Sequence, residues 1–347
     1  MQREAESLFR QAGKFTRAKP VHGAKREMRQ DAKRLKADAR MLEQQAIDSV
    51  VDHADVVCGT TTLDESLLGD RRFDLVVIDE ACQSTEPGCW MPVLRADRLV
   101  LAGDHCQLPP TVLSKEAAKD GLEVSLLERL VGLYGERITR RLDVQYRMHN
   151  QIMNFSSEHF YEGSLLAHDS VCEHLLSDLD YVDEQLVTIE PVTFIDSAGA
   201  GWDEEIEPDG LSKRNVQEGE LVLRKIVELQ AAGVRGRDIA VIAPYAAQVR
   251  WLRQNSPDEQ VEIDTVDGFQ GREKEAVIIS LVRSNADGEI GFLSDARRMN
   301  VALTRARRKL IVIGDSATVG GHEFFAALLE YFELIGAYHT VWEEGGS

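Results

Sequence analysis

The sequence lacks several features that would place it in a specialised class of protein. Its 347 residues contain no apolar run approaching about eighteen residues, and the N-terminal MQREAESLFRQAGK lacks the apolar stretch of a signal peptide. We therefore expect a soluble cytoplasmic protein with no membrane partner. The five cysteines are odd in number, irregularly spaced and without a CxxC pair. Buried reduced thiols are favoured over a metal site or a disulfide framework.

Positive charge is also scarce. The chain has 40 Lys+Arg against 59 Asp+Glu, and a net charge of -19 ordinarily argues against a nucleic-acid partner. The charge is uneven, however, because residues 1–48 hold 12 Lys+Arg against only 7 Asp+Glu. An acidic composition in which only 11 of the cations are lysine also suits a salty cytoplasm. Loss of fold in molar salt would contradict that hypothesis.

A phosphate-binding loop is missing as well. The string G-x-x-x-x-G-K-[ST], whose backbone amides and lysine hold the β- and γ-phosphates of a nucleotide, occurs nowhere. Yet FDLVVIDEACQSTEP leads an apolar run, residues 75–78, directly into Asp79 and Glu80. Such a run predicts a strand buried on both faces, whose carboxyl end faces the ligand crevice of an α/β sheet. Adjacent carboxylates there suit a magnesium–nucleotide site, one holding the metal and the other polarising a water.

The first fifty residues predict helices. Small or apolar residues recur between positions 24 and 51 in steps of four and three, which indicates one long helix with a narrow seam. The seam consists of Met28, Ala32, Leu35, Ala39, Leu42 and Ala46. Residues 8–15 could pack on it as the second arm of a hairpin. The alternative is a charged helix lying on the surface of a domain.

After residue 52, strand-like and helix-like segments alternate, which predicts an α/β fold with parallel sheets and helical crossovers. The first set contains ADVVCGTTT, FDLVVIDE and RLVLAGD, followed by a helical stretch over residues 114–133. The second set contains PVTFID, DIAVIAPY, VEIDTV, EAVIISLVRS and KLIVIGD. Residues 200–215, rich in Gly and acids, predict an exposed loop. The predicted parts are residues 1–51, 52–133 and 134–347.

Further polar residues follow the predicted strands or precede helices. GDHCQLPP places Gln107 after a strand, where a neutral amide can sense a terminal phosphate. QYRMH supplies Tyr146 and Arg147, GREKE supplies Glu273, and TRARR supplies Arg305. Arginine suits phosphate because its planar guanidinium stays charged and forms paired hydrogen bonds. Taken singly, Arg305 could be a solvated charge and Tyr146 a core residue.

Taken in order, DEACQ, GDHCQLPP, QYRMH, DGFQGREKE and NVALTRAR resemble motifs II to VI of superfamily 1B helicases. The resemblance is to the nonsense-decay helicase type, and within it to helicases of the immunoglobulin mu-binding kind, over about residues 24–332. It implies two RecA-like parallel-sheet domains, the first incomplete, preceded by a helical stalk. It also implies ATP-dependent movement, 5′ to 3′, along single-stranded DNA or RNA.

The resemblance implies a role for each matching residue. Asp79 would bind Mg²⁺ through a water, and Glu80 would activate the attacking water. Arg147 and Arg305 would be arginine fingers, and Gln107 the γ-phosphate sensor. The implied nucleotide contacts are Tyr146, Gly271 and Glu273. The implied nucleic-acid contacts are Thr60, Thr61, Thr62, Pro110, Thr111, Thr265, Arg283 and Asn285. Ordinary turn chemistry at a strand end is the alternative for the three threonines.

In the family the phosphate loop lies on an earlier strand–helix unit, so the chain is expected to be a C-terminal part that starts within the stalk. We expect it to expose sheet edges, to lack measurable ATPase activity alone and to need a separate polypeptide that carries the loop. The alternative is a non-catalytic remnant that binds nucleic acid or a partner. Retention of Asp79, Glu80, Arg147 and Arg305 together favours the enzyme. The sequence shows no carboxylate–lysine cluster that would support a nuclease.

Overall fold

The computed structural model describes residues 2–13, 24–207 and 210–344, and they divide into two compact units. The smaller unit contains the described residues up to 79 together with 84–102. The larger unit contains residues 80–83 and those from 103 onward. The domain borders expected at residues 51 and 133 remain predictions.

The smaller unit begins with two helices that pack on each other, α1 (Gln2–Gly13) and α2 (Ala24–Asp52). Their contact buries Ala5 and Ala32 almost completely, as the hairpin hypothesis expects. Residue 15 of the predicted first arm lies outside the described residues. Arg71 fastens the end of α2, since its Nε donates to Asp52 at 2.7 Å. That hydrogen bond holds the pKa of Asp52 below its ordinary value.

A two-stranded parallel sheet completes the smaller unit. Its elements are β1 (Val76–Ile78), α3 (Glu86–Val93) and β2 (Leu99–Leu101). The expectation that β1 is buried on both faces is wrong, because Val77 is 58% exposed and Val100 beside it is 47% exposed. A sheet of two short strands leaves one apolar face uncovered in the described part of this unit.

The strand predicted from ADVVCGTTT is also wrong. Residues 54–62 contain one bend, at residue 55, and a turn at residues 61–62, and Val56 is 76% exposed. The Thr60 and Thr62 hydroxyls lie 3.1 Å apart. An apolar, β-branched segment forms a strand only where a neighbouring strand accepts its backbone hydrogen bonds, and β1 pairs with β2 instead.

The larger unit alternates helices and strands, as the sequence predicts. Its elements are α4 (Lys115–Ala117), α5 (Leu126–Tyr134), β3 (Val144–Gln145), α6 (Asn150–Tyr161), β4 (Leu166–Ala167), α7 (Leu186–Ile189), β5 (Val192–Asp196), β6 (Glu205–Ile206), β7 (Lys213–Arg214), α8 (Val216–Ala231), β8 (Ile239–Ala243), α9 (Ala246–Asn255), β9 (Glu262–Thr265), β10 (Lys274–Ser280), α10 (Ala296–Leu303), β11 (Ala306–Gly314), α11 (Ser316–Val319), α12 (Glu323–Leu334) and β12 (Tyr338–Thr340).

Six of these strands form one parallel sheet in the order β12-β5-β11-β10-β8-β9. Both faces are covered, which explains why the strands are continuous apolar runs. Along β10, Val277 and Ile279 enter one core cluster, and Ile278 enters the cluster on the other face. The predicted α/β class with a parallel sheet is therefore confirmed.

Two predicted segments have more local structure than the sequence indicated. The helical stretch over residues 114–133 is interrupted where Gly121 has φ +96°, and α5 restarts with Ser125 as its N-cap. Residues 200–215 contain the antiparallel hairpin β6–β7, in which Glu205 pairs with Arg214. Among the described helices, none combines the length and apolarity that crossing a bilayer requires.

Candidate nucleotide and nucleic-acid site

Three predicted charged residues from three separate motifs meet in the larger unit. Arg147 forms an ion pair through Nε with Glu273, and its Nη1 donates to the Thr304 carbonyl oxygen at 3.2 Å. Thr304 precedes Arg305, and the positive charge of Arg147 acts directly on the Arg305 guanidinium. Glu273 and Arg305 lie at the amino ends of the neighbouring strands β10 and β11. The cluster therefore sits at one edge of the sheet.

Arg305 is a buried cation that donates hydrogen bonds to neutral acceptors. It is 3% exposed, and it donates to the Val301 carbonyl at 3.0 Å and to the Thr304 hydroxyl at 3.3 Å. Burial, and then the charge of Arg147, lowers the pKa of Arg305 to about 10, although the charges of Glu80 and Glu273 act in the opposite direction. Such a side chain suits an anionic ligand, because phosphate oxygens would supply the compensating charge.

Gln145 shapes the turn that presents the predicted residues of QYRMH. Its Oε1 accepts from the backbone N–H groups of Arg147 and Met148, both at 2.7 Å, and its Nε2 donates to the Met148 carbonyl at 2.8 Å. These bonds fold the segment so that Tyr146 and Arg147 project from it. We did not single out Gln145 from the sequence, although it is the first letter of the motif.

A neutral histidine begins the helix that follows. The Nδ1 atom of His149 accepts from the Gln151 N–H at 3.0 Å and so caps α6. This bond requires an unprotonated Nδ1. Burial, with a further contribution from His174, lowers the pKa of His149 to about 4, so the cap persists at neutral pH.

Tyr146 is 63% exposed and stacks on His168, with ring centroids 4.4 Å apart. Pairing between β3 and β4 places Gln145 opposite Ala167 and so brings the two rings together. The core alternative for Tyr146 is excluded by its exposure. His168 was missed, because nothing in HDSVCEH distinguishes it from other surface histidines.

The predicted phosphate sensor belongs to a hydrogen-bond network. Gln107 Nε2 donates to Asp104 Oδ2 at 3.0 Å, and the Tyr161 hydroxyl donates to the same oxygen at 2.5 Å. Asn300 Nδ2 donates to the Tyr161 hydroxyl at 3.0 Å and to the Cys106 carbonyl at 2.9 Å. Burial and the Asp104 charge raise the pKa of Tyr161, which remains a donor. The network ties the Gln107 loop to α6 and α10.

Glu80 has a strained backbone. Its φ of +50° lies in the left-handed region, which non-glycine residues seldom adopt outside functional or tightly constrained turns. Gln83 Nε2 donates to its Oε2 at 2.8 Å. Gly103 approaches this turn so closely that a Cβ atom would lie 3.1 Å from the backbone nitrogens of Ala81 and Cys82. Asp79 precedes this turn and belongs to the smaller unit.

The turn before β10 contains Gly271, which is exposed and has φ +75°. Gln270 beside it has a buried Nε2 with no hydrogen-bond partner among the described residues. An unpaired buried amide is uncommon, and it leaves a donor available for a ligand.

The predicted nucleic-acid contacts differ in their accessibility. In the smaller unit, Thr60 and Thr62 are exposed and Thr61 is half-buried. In the larger unit, Thr111 is exposed but Pro110 is buried. Hydroxyl groups that reach solvent can meet a phosphate oxygen, and the threonines retain that capacity.

The other three predicted contacts lie at or beyond the carboxyl ends of β9 and β10. Thr265 Oγ1 accepts from the Gly268 N–H at 3.2 Å. The Asn285 side chain bonds to both backbone groups of Glu289, at 2.8 and 2.9 Å. Arg283 is 2% exposed, and its Nε donates to Glu204 at 2.6 Å. The guanidinium of Arg283 therefore faces the interior.

Two family models, each described as an AAA domain, match residues 3–115 and 122–317. The chain is 48% identical to "DNA-binding protein SMUBP-2" of Mesocricetus auratus, over 92% of this chain and 33% of that protein. It is 41% identical to "DNA polymerase alpha-associated DNA helicase A" of Schizosaccharomyces pombe, over 89% of this chain and 47% of that protein. It is 40% identical to "Regulator of nonsense transcripts 1 homolog" of Drosophila melanogaster, over 85% of this chain and 25% of that protein. The chain thus spans less than half the length of each relative.

Proposed function

Because this chain belongs to the superfamily 1B helicases, we propose that it forms motor machinery which couples ATP hydrolysis to 5′-to-3′ movement along single-stranded DNA or RNA. The observation that carries the proposal is the cluster of Arg147, Glu273 and Arg305 at one edge of the parallel sheet. Arg305 is buried and donates its hydrogen bonds to carbonyl and hydroxyl oxygens, and a nucleotide phosphate would give its charge a direct anionic partner.

Different residues of the chain would have different roles in nucleotide binding and hydrolysis. Arg147 and Arg305 would stabilise the charge that develops on the transferred phosphoryl group, a contribution of roughly 10³ to 10⁵ in rate for an arginine finger. Tyr146, on its His168 support, would stack on the base, and Gln107 would respond to the terminal phosphate. Bound ATP and Mg²⁺ would supply the scissile bond and the metal. Asp79 would hold the metal through a water, and Glu80 would activate the attacking water. Glu273 would hold Arg147 in place.

Single-stranded nucleic acid is the proposed track. The printed names of two relatives contain "DNA-binding" and "DNA helicase". Thr265 and Asn285, at or beyond strand ends of the larger unit, and the exposed threonines of the smaller unit offer polar groups for a phosphate backbone. Such contacts carry no sequence information and suit movement along any strand.

The 347 residues contain no G-x-x-x-x-G-K-[ST], so we propose that they hold a nucleotide weakly and do not turn it over alone. Turnover would require a polypeptide that supplies the loop. The uncovered face of β1 and β2, where Val77 and Val100 are exposed, is consistent with such a partner.

The test compares binding of Mg²⁺–AMPPNP and Mg²⁺–ADP by titration calorimetry. Arg305→Gln should weaken AMPPNP binding by about 10- to 100-fold, the worth of a charged hydrogen bond, and should leave ADP binding nearly unchanged. Arg224→Gln, at an exposed position on α8, is the matched control. Equal loss of both nucleotides in Arg305→Gln would contradict a γ-phosphate role.

Hydrolysis and strand binding distinguish the remaining alternatives. Strand-stimulated ATP turnover by the 347-residue chain would overturn the proposed inactivity. Binding of an oligonucleotide without any binding of either nucleotide at millimolar concentration would favour the non-catalytic remnant over the motor.

A further inference from the structure

A large aromatic side chain is exposed at the carboxyl-end edge of the sheet. Phe292 is 58% exposed, although the next residue, Leu293, is 2% exposed and belongs to the core. Both lie in the short 3₁₀ turn Gly291–Ser294. The turn is thus anchored by one side chain while the adjacent ring faces solvent.

The backbone beneath this ring admits only glycine. Gly291 has φ +56°, and a Cβ atom there would lie 2.2 Å from Arg283 Nη1 and 2.6 Å from the Tyr245 hydroxyl oxygen. Arg283 Nη1 itself donates to that hydroxyl at 3.0 Å. The position of Phe292 is therefore fixed by direct packing of the preceding residue on a buried pair of side chains.

A second layer of hydrogen bonds supports that pair. Glu204 accepts from Arg283 Nε at 2.6 Å, from the Ser284 N–H at 3.1 Å and from Asn285 Nδ2 at 3.3 Å. Asn285 then closes the loop onto Glu289. Several hydrogen bonds thus hold the segment from β10 to α10, whose backbone carries the exposed ring.

The surroundings of the ring fit a nucleobase. The Tyr245 ring lies 5.5 Å from the Phe292 ring, and the Arg298 guanidinium carbon lies 5.7 Å from its centroid. Aromatic faces beside arginine are the usual means by which proteins bind unpaired bases without sequence preference. A small cavity beside the ring is lined by Pro244, which follows β8, and by Val266, which follows β9.

Local charge is balanced at this position. Arg298 Nη1 lies 3.2 Å from Asp267 Oδ2, so the arginine beside the ring is already paired. Attraction of phosphates therefore contributes little here. Any affinity for a strand at this point must come from contact with the base itself.

We propose that Phe292 is a stacking platform for one unpaired base of single-stranded nucleic acid, and that Arg283 and Gly291 position it. This rests on the nucleic-acid part of the proposed function. Arg283 thereby acts from the interior, through the ring it supports. The polar groups of Thr265 and Asn285 lie at the same edge of the sheet, where a strand backbone would pass.

The test measures anisotropy of a fluorescein-labelled (dT)₂₀ strand and of the same strand carrying abasic sites. Phe292→Ala should weaken (dT)₂₀ binding by about 5- to 100-fold, in line with the loss of one base–aromatic stack. Phe292→Trp should retain affinity, and its fluorescence should be quenched on binding. Phe292→Leu, apolar but without a π face, should behave like the alanine variant.

Three controls identify the source of the effect. Leu334→Ala, at a position 82% exposed on α12, should leave binding unchanged. The abasic strand should bind the parent and Phe292→Ala equally. The dependence of affinity on salt should be unchanged in Phe292→Ala, because its slope counts phosphate contacts.

Equal binding of (dT)₂₀ by the parent and by folded Phe292→Ala would overturn the platform while leaving the proposed function intact. The absence of any strand binding by the parent would overturn both. Circular dichroism confirms folding, and Phe292→Leu, which also removes the π face, serves if the alanine variant does not fold.

Discussion

One buried acidic residue, Glu218 in the first turn of α8, explains how the segment after β10 holds an unusual backbone conformation. Val282 has φ +70°, a conformation that is rare for a β-branched residue. Its N–H donates to both oxygens of Glu218, at 2.9 and 3.2 Å, and the Ser280 hydroxyl donates to Glu218 at 2.6 Å. Glu218 itself is fully buried. The carboxylate thus stabilises the bend that follows β10 and leads to Arg283.

Glu218 should make stability depend on pH. Burial raises its pKa to about 7, above the ordinary value of 4.5. Between these pH values the folded chain holds a proton that the unfolded chain has released, so the free energy of unfolding should fall as pH rises from about 4.5 to 7. Glu218→Gln should remove this slope. Urea titrations of parent and variant across that range provide the measurement, and identical slopes would contradict the assignment.

The sequence singled out the charged residues of the proposed nucleotide site more readily than the residues that support them. Arg147, Glu273 and Arg305 were predicted because their motifs have few alternative explanations when they occur in order. Gln145, His168 and Tyr161 were not, because a single amide, imidazole or phenol becomes informative only when the fold brings its partner near. Phe292 was missed for the same reason, since its exposure depends on the packing of Gly291.

At the level of elements, apolar runs predicted five strands of the six-stranded sheet, all but β12, and overestimated order in the smaller unit. PVTFID, DIAVIAPY and KLIVIGD became β5, β8 and β11, since each finds strands on one or both sides and cover on both faces. ADVVCGTTT has similar composition and forms no strand. Strand propensity measures fit to a neighbouring surface, and that neighbour is absent from the described part of the smaller unit.

The hairpin β6–β7 contributes stability through one buried ion pair. Burial alone would raise the pKa of Glu204, but hydrogen bonds from Lys213 and Arg283 hold it below its ordinary value. Glu204→Gln should destabilise the larger unit by about 3–5 kcal/mol, since it leaves the buried Arg283 charge uncompensated. The measurement is the free energy of unfolding in urea.

The same hairpin provides a matched control. Glu205 pairs with Arg214 at 2.7 Å, but its side chain is half exposed. Glu205→Gln should therefore cost at most about 1 kcal/mol. Equal losses in the free energy of unfolding for the two substitutions would mean that burial of the Arg283 charge makes no difference to stability.

For the whole molecule, the main feature is its large net negative charge. The net charge of -19 implies self-repulsion that dissolved salt would screen. We expect the melting temperature to rise as KCl increases from about 0.1 M to 1 M, over which the screening length falls from about 10 Å to 3 Å. Differential scanning fluorimetry measures this, with sucrose as an uncharged control. A falling melting temperature would contradict both the repulsion and the hypothesis of a salty cytoplasm.

Strand β10 joins the two proposed sites as a mechanical link. It begins directly after Glu273, beside the arginine cluster, and ends three residues before Arg283, which supports Phe292. Its seven residues span about 23 Å and are clamped on either side by β8 and β11. Because β10 is held on both sides, a displacement of the turn at its amino end would also move its carboxyl end. The central strand of the sheet would thus couple a change at the proposed phosphate site to the position of the bound nucleic acid.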